Sequence, residues 1–516
     1  MLTQGVEIIK KEVYNEKVML LERGIPMKKT TKIIGAAVAA AAVGNAIHAA
    51  TFKPEKRELP PLPEEALNVE RYRKNLSKAI QFKTISNRKS ELVDWKEFEK
   101  FHKFLDEAYP LIAKKLEKEI VPPANLLYRW KGKRDDLKPI ALLAHQDVVP
   151  ISKGTEQDWV HGPFDGVDDG EFIWGRGSID MKNHLIAVME SVEALLEDGF
   201  EPERDVYLLF GDNEEVVANA ENGAFDLMTT LKEKGVILDS VIDEGGAIIP
   251  VNVPGVLNNK HLVGIGIAEK GYSDIEIVVN GKGGHSSQPP KHNALGQLAC
   301  AIKAIEDHQF KSSFNQLMDD LMDAVARECT YPVRLITCNI PLLKPALLQV
   351  AKQIPFGACF VRTTTAVTMA SGSPAANVLP QRASATINFR AMPGTTKQDL
   401  VDHIRKVTKN PDLEINVLNS KEASKFSPTD SRTFKIIGDL CKSLEPNSIV
   451  APYLVMGGTD AYNYEPICEN IYRYAPFRVS IELLRGTHGT NEKIPVACLE
   501  DALKFFKNYI RRASAE

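Results

Sequence analysis

Apolar positions repeat with a period that changes from segment to segment. Residues 66–85 carry them at helical spacing and predict a helix. PIALL, residues 139–143, is a short continuous apolar run and predicts a strand that delivers His145 and Asp147 at its C-terminal end. A helical pattern from Met181 to Leu196 follows Asp180. DVYLLF, residues 205–210, predicts a second strand running into Glu214 and Glu215, and VILDSVID, residues 236–243, a third ending at Asp243 and Glu244. Acidic and histidine residues that each follow an apolar strand collect on one rim of an open α/β sheet, where such sheets place their sites.

From Tyr272 the pattern changes. SDIEIVVNG predicts a strand, NALGQLACAIKAIED a helix, TTTAVTMASG and RASATINFRAM strands, TKQDLVDHIRKVT a helix and DLEINVLN a last strand. This β-α-β-β-α-β order predicts a ferredoxin-like α+β lid, with residues 310–357 as a mostly helical insertion after its first helix. Leu342, Leu343, Leu347 and Leu348 in that insertion have the spacing of ordinary helix packing more than of an acyl groove. The chain is thus divided into an N-terminal signal or anchor with linker (1–65), a first catalytic segment (66–267), the lid or dimerisation domain (268–419) and a second catalytic segment (420–516).

A length of 516 residues exceeds one ordinary core. The net charge of -4, with 64 basic against 68 acidic residues and no basic stripe interleaved with aromatics, argues against a nucleic-acid partner. Seven cysteines without CxxC spacing read as reduced core residues. Lys28 and Lys29 precede the small-residue apolar stretch from Ile33 to Ala50, which reads as a signal peptide or weak membrane anchor, with Met27 as an alternative start. That reading places the catalytic body outside the cytoplasm, with a cytoplasmic location as the alternative. Pro54, Pro60, Pro61 and Pro63 mark an extended linker after it.

AHQDVVP, GRGSIDMK, the Glu214–Glu215 pair, the Asp243–Glu244 pair and GTHGTNE together supply the donors of a two-metal site. Hydrolytic zinc takes imidazole nitrogen and carboxylate oxygen, and a separate carboxylate moves protons. Asp180, with two oxygens, suits a bridge between cations; its competing role is to cap the helix that follows. Read in order, LLAHQDVVP, WGRGSIDMKN, FGDNEEV, DEGG, GGHSSQPP, VRTTTAVTM, NVLP, NFRAMPG, GGTDA and GTHGTNE resemble the di-zinc peptidase and aminoacylase family that includes aminoacylase-1 and carboxypeptidase G2. Within it the resemblance is to the branch of carboxypeptidase S and N-fatty-acyl-amino-acid synthase/hydrolase, from about residue 66 to the C-terminus.

The resemblance implies an α/β zinc-peptidase domain with an inserted lid that dimerises in relatives. It implies two zinc ions per chain, replaceable by cobalt or manganese, held by His145, Asp180 as bridge, Glu215, His488 and either Asp243 or Glu244, with Asp243 favoured. Asp147 would orient the His145 ring and Glu214 would act as general base and acid. In the lid, His285 would stabilise the oxyanion, from the other subunit in dimers, while Asn377 and Arg390 would hold the substrate carboxylate. Gly458 and Thr459 would line the pocket through backbone contacts. The implied reaction is hydrolysis of an amide in N-acyl amino acids or short peptides with a free C-terminal carboxylate. The alternatives are reversible synthesis and hydrolysis of N-fatty-acyl amino acids, or a catalytically weak homologue that keeps metal and ligand. A homodimer through the lid and membrane association through the N-terminus are further expectations. Relatives carry Asp before the Glu pair and two Gly after it, where this chain has Asn213 and Val217–Ala218, which puts the loop geometry in question.

Overall fold

The computed structural model describes residues 27–54, 59, 61–216 and 222–515, with side chains from residue 39 onward except Phe356. Pro60 and the Val217–Ala218 departure lie outside the described residues. A nine-stranded mixed sheet forms the larger body. At its centre Val206–Gly211, Ile140–His145, Ser240–Asp243 and Ile471–Arg473 run parallel to one another. The hairpin of Glu117–Val121 and Asn125–Trp130 extends one side, and Leu257–Glu269 with Ile248–Val253 and Ser448–Val455 extends the other.

The continuous apolar runs follow from burial on both faces. Leu142 and Leu208 pack into the core cluster that contains the buried helix Lys182–Glu197 and the C-terminal helix Leu499–Ala513, while Leu143 and Leu209 point to the opposite face, against Gly223–Glu233. Because Val206–Gly211, Ile140–His145 and Ser240–Asp243 are parallel neighbours, their C-terminal ends share one edge, and the chemistry-bearing residues emerge there.

The smaller sheet is antiparallel throughout, in the order Thr364–Ser371, Arg382–Ala391, Gly271–Asn280, Glu414–Lys421. Ala294–Asp307, capped by Asn293, and Lys397–Thr408, opened by a Thr396–Asp399 capping box, cover its apolar side. This is the ferredoxin-like arrangement that the strand and helix order predicts. The inserted helices are Gln316–Glu328, Tyr331–Thr337, Ile340–Ala351 and Pro355–Val361. The first lies on Ser448–Val455, so the insertion reaches the larger body.

The N-terminal helix Met27–Thr51 sits on this insertion. Asn45 donates to the Leu335 carbonyl at 2.9 Å and accepts from Asn339 at 2.6 Å, and Ala49 is buried. Among the described residues no helix is long and apolar enough to cross a membrane. All seven cysteines are free and five of them are buried.

Candidate active site and metal centre

His145 ends its strand buried, with its ring held from behind. Its Nδ1 lies 3.0 Å from the Asp147 carbonyl oxygen and 3.3 Å from the Asp147 carboxylate. Its Nε2 faces Asp180 Oδ1 at 3.0 Å and Glu244 Oε1 at 3.3 Å. The second oxygen of Asp180 lies 3.1 Å from His488 Nε2, which also meets Glu215 at 3.0 Å. Asp180 therefore stands between the two imidazoles with one oxygen toward each. It does not cap the following helix, whose N-cap is Met181 without a side-chain bond.

Asp180 is fixed by a residue that sequence reasoning treated only as flanking His488. The buried Glu492 carboxylate pairs with Arg176 and accepts the N–H groups of Gly177, Ile179 and Asp180 at 3.0, 2.8 and 3.2 Å. Folding the GTHGTNE turn onto the GRGSID loop thus brings His488 to Asp180. His488 itself has φ +61, the left-handed region, which a turn imposes.

Asp147 has a second task beyond the His145 ring. Its carboxylate accepts the N–H groups of Glu214 and Glu215, both at 3.1 Å, and the Ser86 hydroxyl. It thereby holds the two glutamates in different directions: Glu215 toward His488, and Glu214 with an oxygen 4.0 Å from His145 Nε2.

The geometry turns Glu244 toward the cluster, and not the Asp243 that the resemblance favours. Asp243 Oδ1 accepts the Glu244 N–H and its Oδ2 accepts the Ala461 N–H, each at 2.8 Å, so both oxygens are committed to backbone. Glu244, one residue on, turns its carboxylate to His145. Adjacent residues leaving a strand point apart, and only the tertiary contact with Ala461 decides which faces the cluster.

Among the described residues, two donor sets could hold a metal ion: His145, Asp180 and Glu244, and Asp180, Glu215 and His488, sharing Asp180. The charge balance fits cations. Burial, reinforced by the Asp180 charge, pushes Glu244 up to about 8, and burial also drives Glu214 well above the usual carboxylate range, with Glu244, Asp460 and Glu215 adding to it. His488 is pushed up to about 10, chiefly by its hydrogen bonds to Asp180 and Glu215. Divalent cations would supply the positive charge that this crowd of carboxylates otherwise draws from protons.

The lid residues are not gathered with this cluster. His285 pairs as a short strand with Val378 and hydrogen bonds to the Ser287 hydroxyl at 2.8 Å. Asn377 is its neighbour, accepting the Ser286 N–H through its carbonyl at 3.1 Å. Arg390 lies across from Tyr272, its guanidinium 4.6 Å from that ring's centre. Thr459 is buried and Gly458 exposed on the loop that leads to Ala461.

A cavity of about 580 Å³ opens beside the cluster, with Asp180 and Glu244 in its wall. The rest of the wall is mainly apolar, including Met181, Phe477 and Ile494 from the larger body, and the helical insertion contributes Met318, Leu321 and Phe360. Of the leucines noted in the insertion, Leu342 is 80 % exposed and Leu348 packs against the main core. Neither lines this cavity.

The sequence model of peptidase family M20/M25/M40 matches residues 141–512. The carboxypeptidase S-like 2 protein of Dictyostelium discoideum is 36% identical over 441 residues, covering 84% of this chain and 84% of that protein. The N-fatty-acyl-amino acid synthase/hydrolase of Mus musculus is 30% identical over 444 residues, covering 85% and 87%. Among solved structures, an M20 family metallo-carboxypeptidase from Sulfolobus solfataricus superposes with a TM-score of 0.61 at 17% identity, over 86% of this chain and 99% of that one. Human carnosine dipeptidase 1 does so with 0.57 at 12% identity, over 86% and 96%. The chain belongs to peptidase family M20/M25/M40 and is a metallohydrolase of amide bonds.

Proposed function

We propose that the protein hydrolyses N-acyl amino acids that carry a long apolar acyl chain and a free carboxylate, using two zinc ions. The observation that carries this reading is the apolar cavity whose wall includes Asp180 and Glu244, a size suited to a small-molecule ligand. His145, Asp180 and Glu244 would hold one ion, and Asp180, Glu215 and His488 the other. When bound, the ions supply Lewis acidity toward the scissile carbonyl and the attacking water. Glu214, protonatable and beside His145, takes the proton of the water and later returns it to the leaving amine. Asp147 keeps the His145 ring and the backbone of Glu214 in place. From the lid, Arg390 and Asn377 take the substrate carboxylate, Gly458 and Thr459 line the amino-acid side, and His285 of a second subunit faces the developing oxyanion. The same site lowers the barrier in both directions, so it would also condense a fatty acid with an amino acid. The Lys28–Lys29 and Ile33 to Ala50 segment supports an exported or membrane-associated catalytic body.

A substrate panel tests this. Across N-acyl derivatives of one amino acid, kcat/KM rises with chain length until the cavity is full, by roughly fourfold per methylene, the equivalent of ~0.8 kcal/mol for each buried CH₂. A preference for N-acetyl amino acids or dipeptides over long-chain derivatives would refute the acyl assignment. On the same substrates Arg390→Ala weakens recognition of the carboxylate form by ~1.5 to 3 kcal/mol and barely affects the carboxamide analogue. Equal losses on both forms would show that Arg390 supports the lid and does not clamp the carboxylate.

A further inference from the structure

Glu269 stands where the chain crosses between the two sheets. It ends Leu257–Glu269 of the larger sheet, two residues before Gly271 opens a strand of the smaller one. The returning crossing lies against it: the Ser424 N–H donates to the Glu269 carbonyl at 3.1 Å, and the Ser424 hydroxyl accepts the Glu269 N–H at 2.7 Å. A Cβ on Gly271 would lie 2.7 Å from the Ala423 nitrogen, so the two crossings are in close contact.

The Glu269 side chain is buried and gathers donors from three directions. Oε2 accepts the Thr459 N–H at 3.0 Å, the Thr459 hydroxyl at 2.9 Å and Arg473 Nε at 3.1 Å. Lys421 Nζ, at the end of Glu414–Lys421, lies 3.2 Å from Oε1. Burial opposes the charge, but Lys421, Arg473 and the Thr459 hydroxyl hold this carboxyl below its ordinary value. The two cations would suffice to balance a buried carboxylate. Its two bonds to Thr459 go further, because they fix the orientation of one residue in the loop that carries Gly458.

The other end of the contact chain reaches the lid. Register places Lys421 opposite Tyr272, and Tyr272 opposite Arg390, so the three form one row across the smaller sheet. Lys421 also lies 4.4 Å from the centre of the Tyr462 ring, three residues beyond Thr459. We propose that Glu269 is a positioning residue for substrate: it holds Thr459 by N–H and hydroxyl while paired with Lys421, and so sets the Gly458–Thr459 side of the pocket in register with the Arg390 side. This inference rests on the proposed placement of Gly458–Thr459 and Arg390 at the substrate.

Steady-state kinetics with metal analysis and thermal unfolding test it, using the substrate that the wild-type enzyme turns over fastest in the panel, so that a wrong acyl class changes the substrate and not the outcome. Glu269→Gln keeps the shape and removes the charge; it raises KM about tenfold, the size of a lost hydrogen bond to a charged group, with kcat within about twofold and metal content unchanged. Thr459→Val, which leaves both ion pairs intact, raises KM by a smaller factor, and Thr459→Ser restores it. The double variant Glu269→Gln/Thr459→Val is no worse than Glu269→Gln alone, as expected for two residues acting through one contact. Unchanged KM with a lowered melting temperature, or losses that multiply in the double variant, would overturn the proposal. If Glu269→Gln does not fold, the Thr459 pair decides alone: equal KM for Val and Ser at that position contradicts it.

Discussion

Replacing Glu214 with Gln leaves metal content unchanged and lowers kcat by about 10²- to 10⁴-fold, the range for loss of a positioned general acid–base. In the proposed mechanism the carboxylate is the group that carries the water's proton. Its backbone N–H is anchored on Asp147, and its side chain stands 4.0 Å from His145 Nε2, farther than Asp180 or Glu244. Burial and the neighbouring carboxylates raise its proton affinity above the ordinary carboxylate range. A carboxamide has the same shape but cannot carry that proton between water and leaving amine. Turnover near the wild-type level in Glu214→Gln would remove Glu214 from the role, and a loss of metal would exchange its assignment with Glu215. A homologue that only binds ligand would show no Glu214-dependent turnover at all.

The adjacent acids should separate just as sharply. Glu244→Gln weakens metal affinity by more than about a hundredfold, because even a group that only supports a ligand is worth roughly 10- to 100-fold. Asp243→Asn instead lowers stability by ~1 to 3 kcal/mol, since its amide turns a donor toward the Glu244 or Ala461 N–H that the carboxylate now accepts. Metal titration and thermal unfolding of the two variants measure this. If Asp243→Asn lost the metal and Glu244→Gln kept it, the ligand would be Asp243.

His145, the Glu214–Glu215 pair and the Asp243–Glu244 pair were legible because each follows or ends a strand that is buried on both faces. Leu142 and Leu143 pack on opposite sides of the larger sheet, and the continuous run that results marks where His145 emerges. The smaller sheet was legible for a different reason: strands such as Arg382–Ala391 alternate strictly between exposed or half-buried and buried positions. The choice between Asp243 and Glu244 was hidden because it depends on an N–H more than two hundred residues away in sequence. Glu492 and Ser86 were passed over for a similar reason, since their partners come from distant loops. The hairpin at Glu117–Val121 escaped notice because EKEIV is short, charged and mostly exposed. The cavity was out of reach of any pattern, as Met181, Met318, Phe360 and Phe477 come from four separate segments of the chain and read individually as ordinary core.

Whether this cluster is a two-metal hydrolytic centre is decided by elemental analysis of zinc-reconstituted protein beside its His145→Ala/His488→Ala variant. Two zinc ions per chain are expected in the wild type, one for each donor set sharing Asp180, and both are lost in the double variant. Wild-type protein that takes up no divalent metal, or a double variant with unchanged metal content, would contradict a two-metal centre.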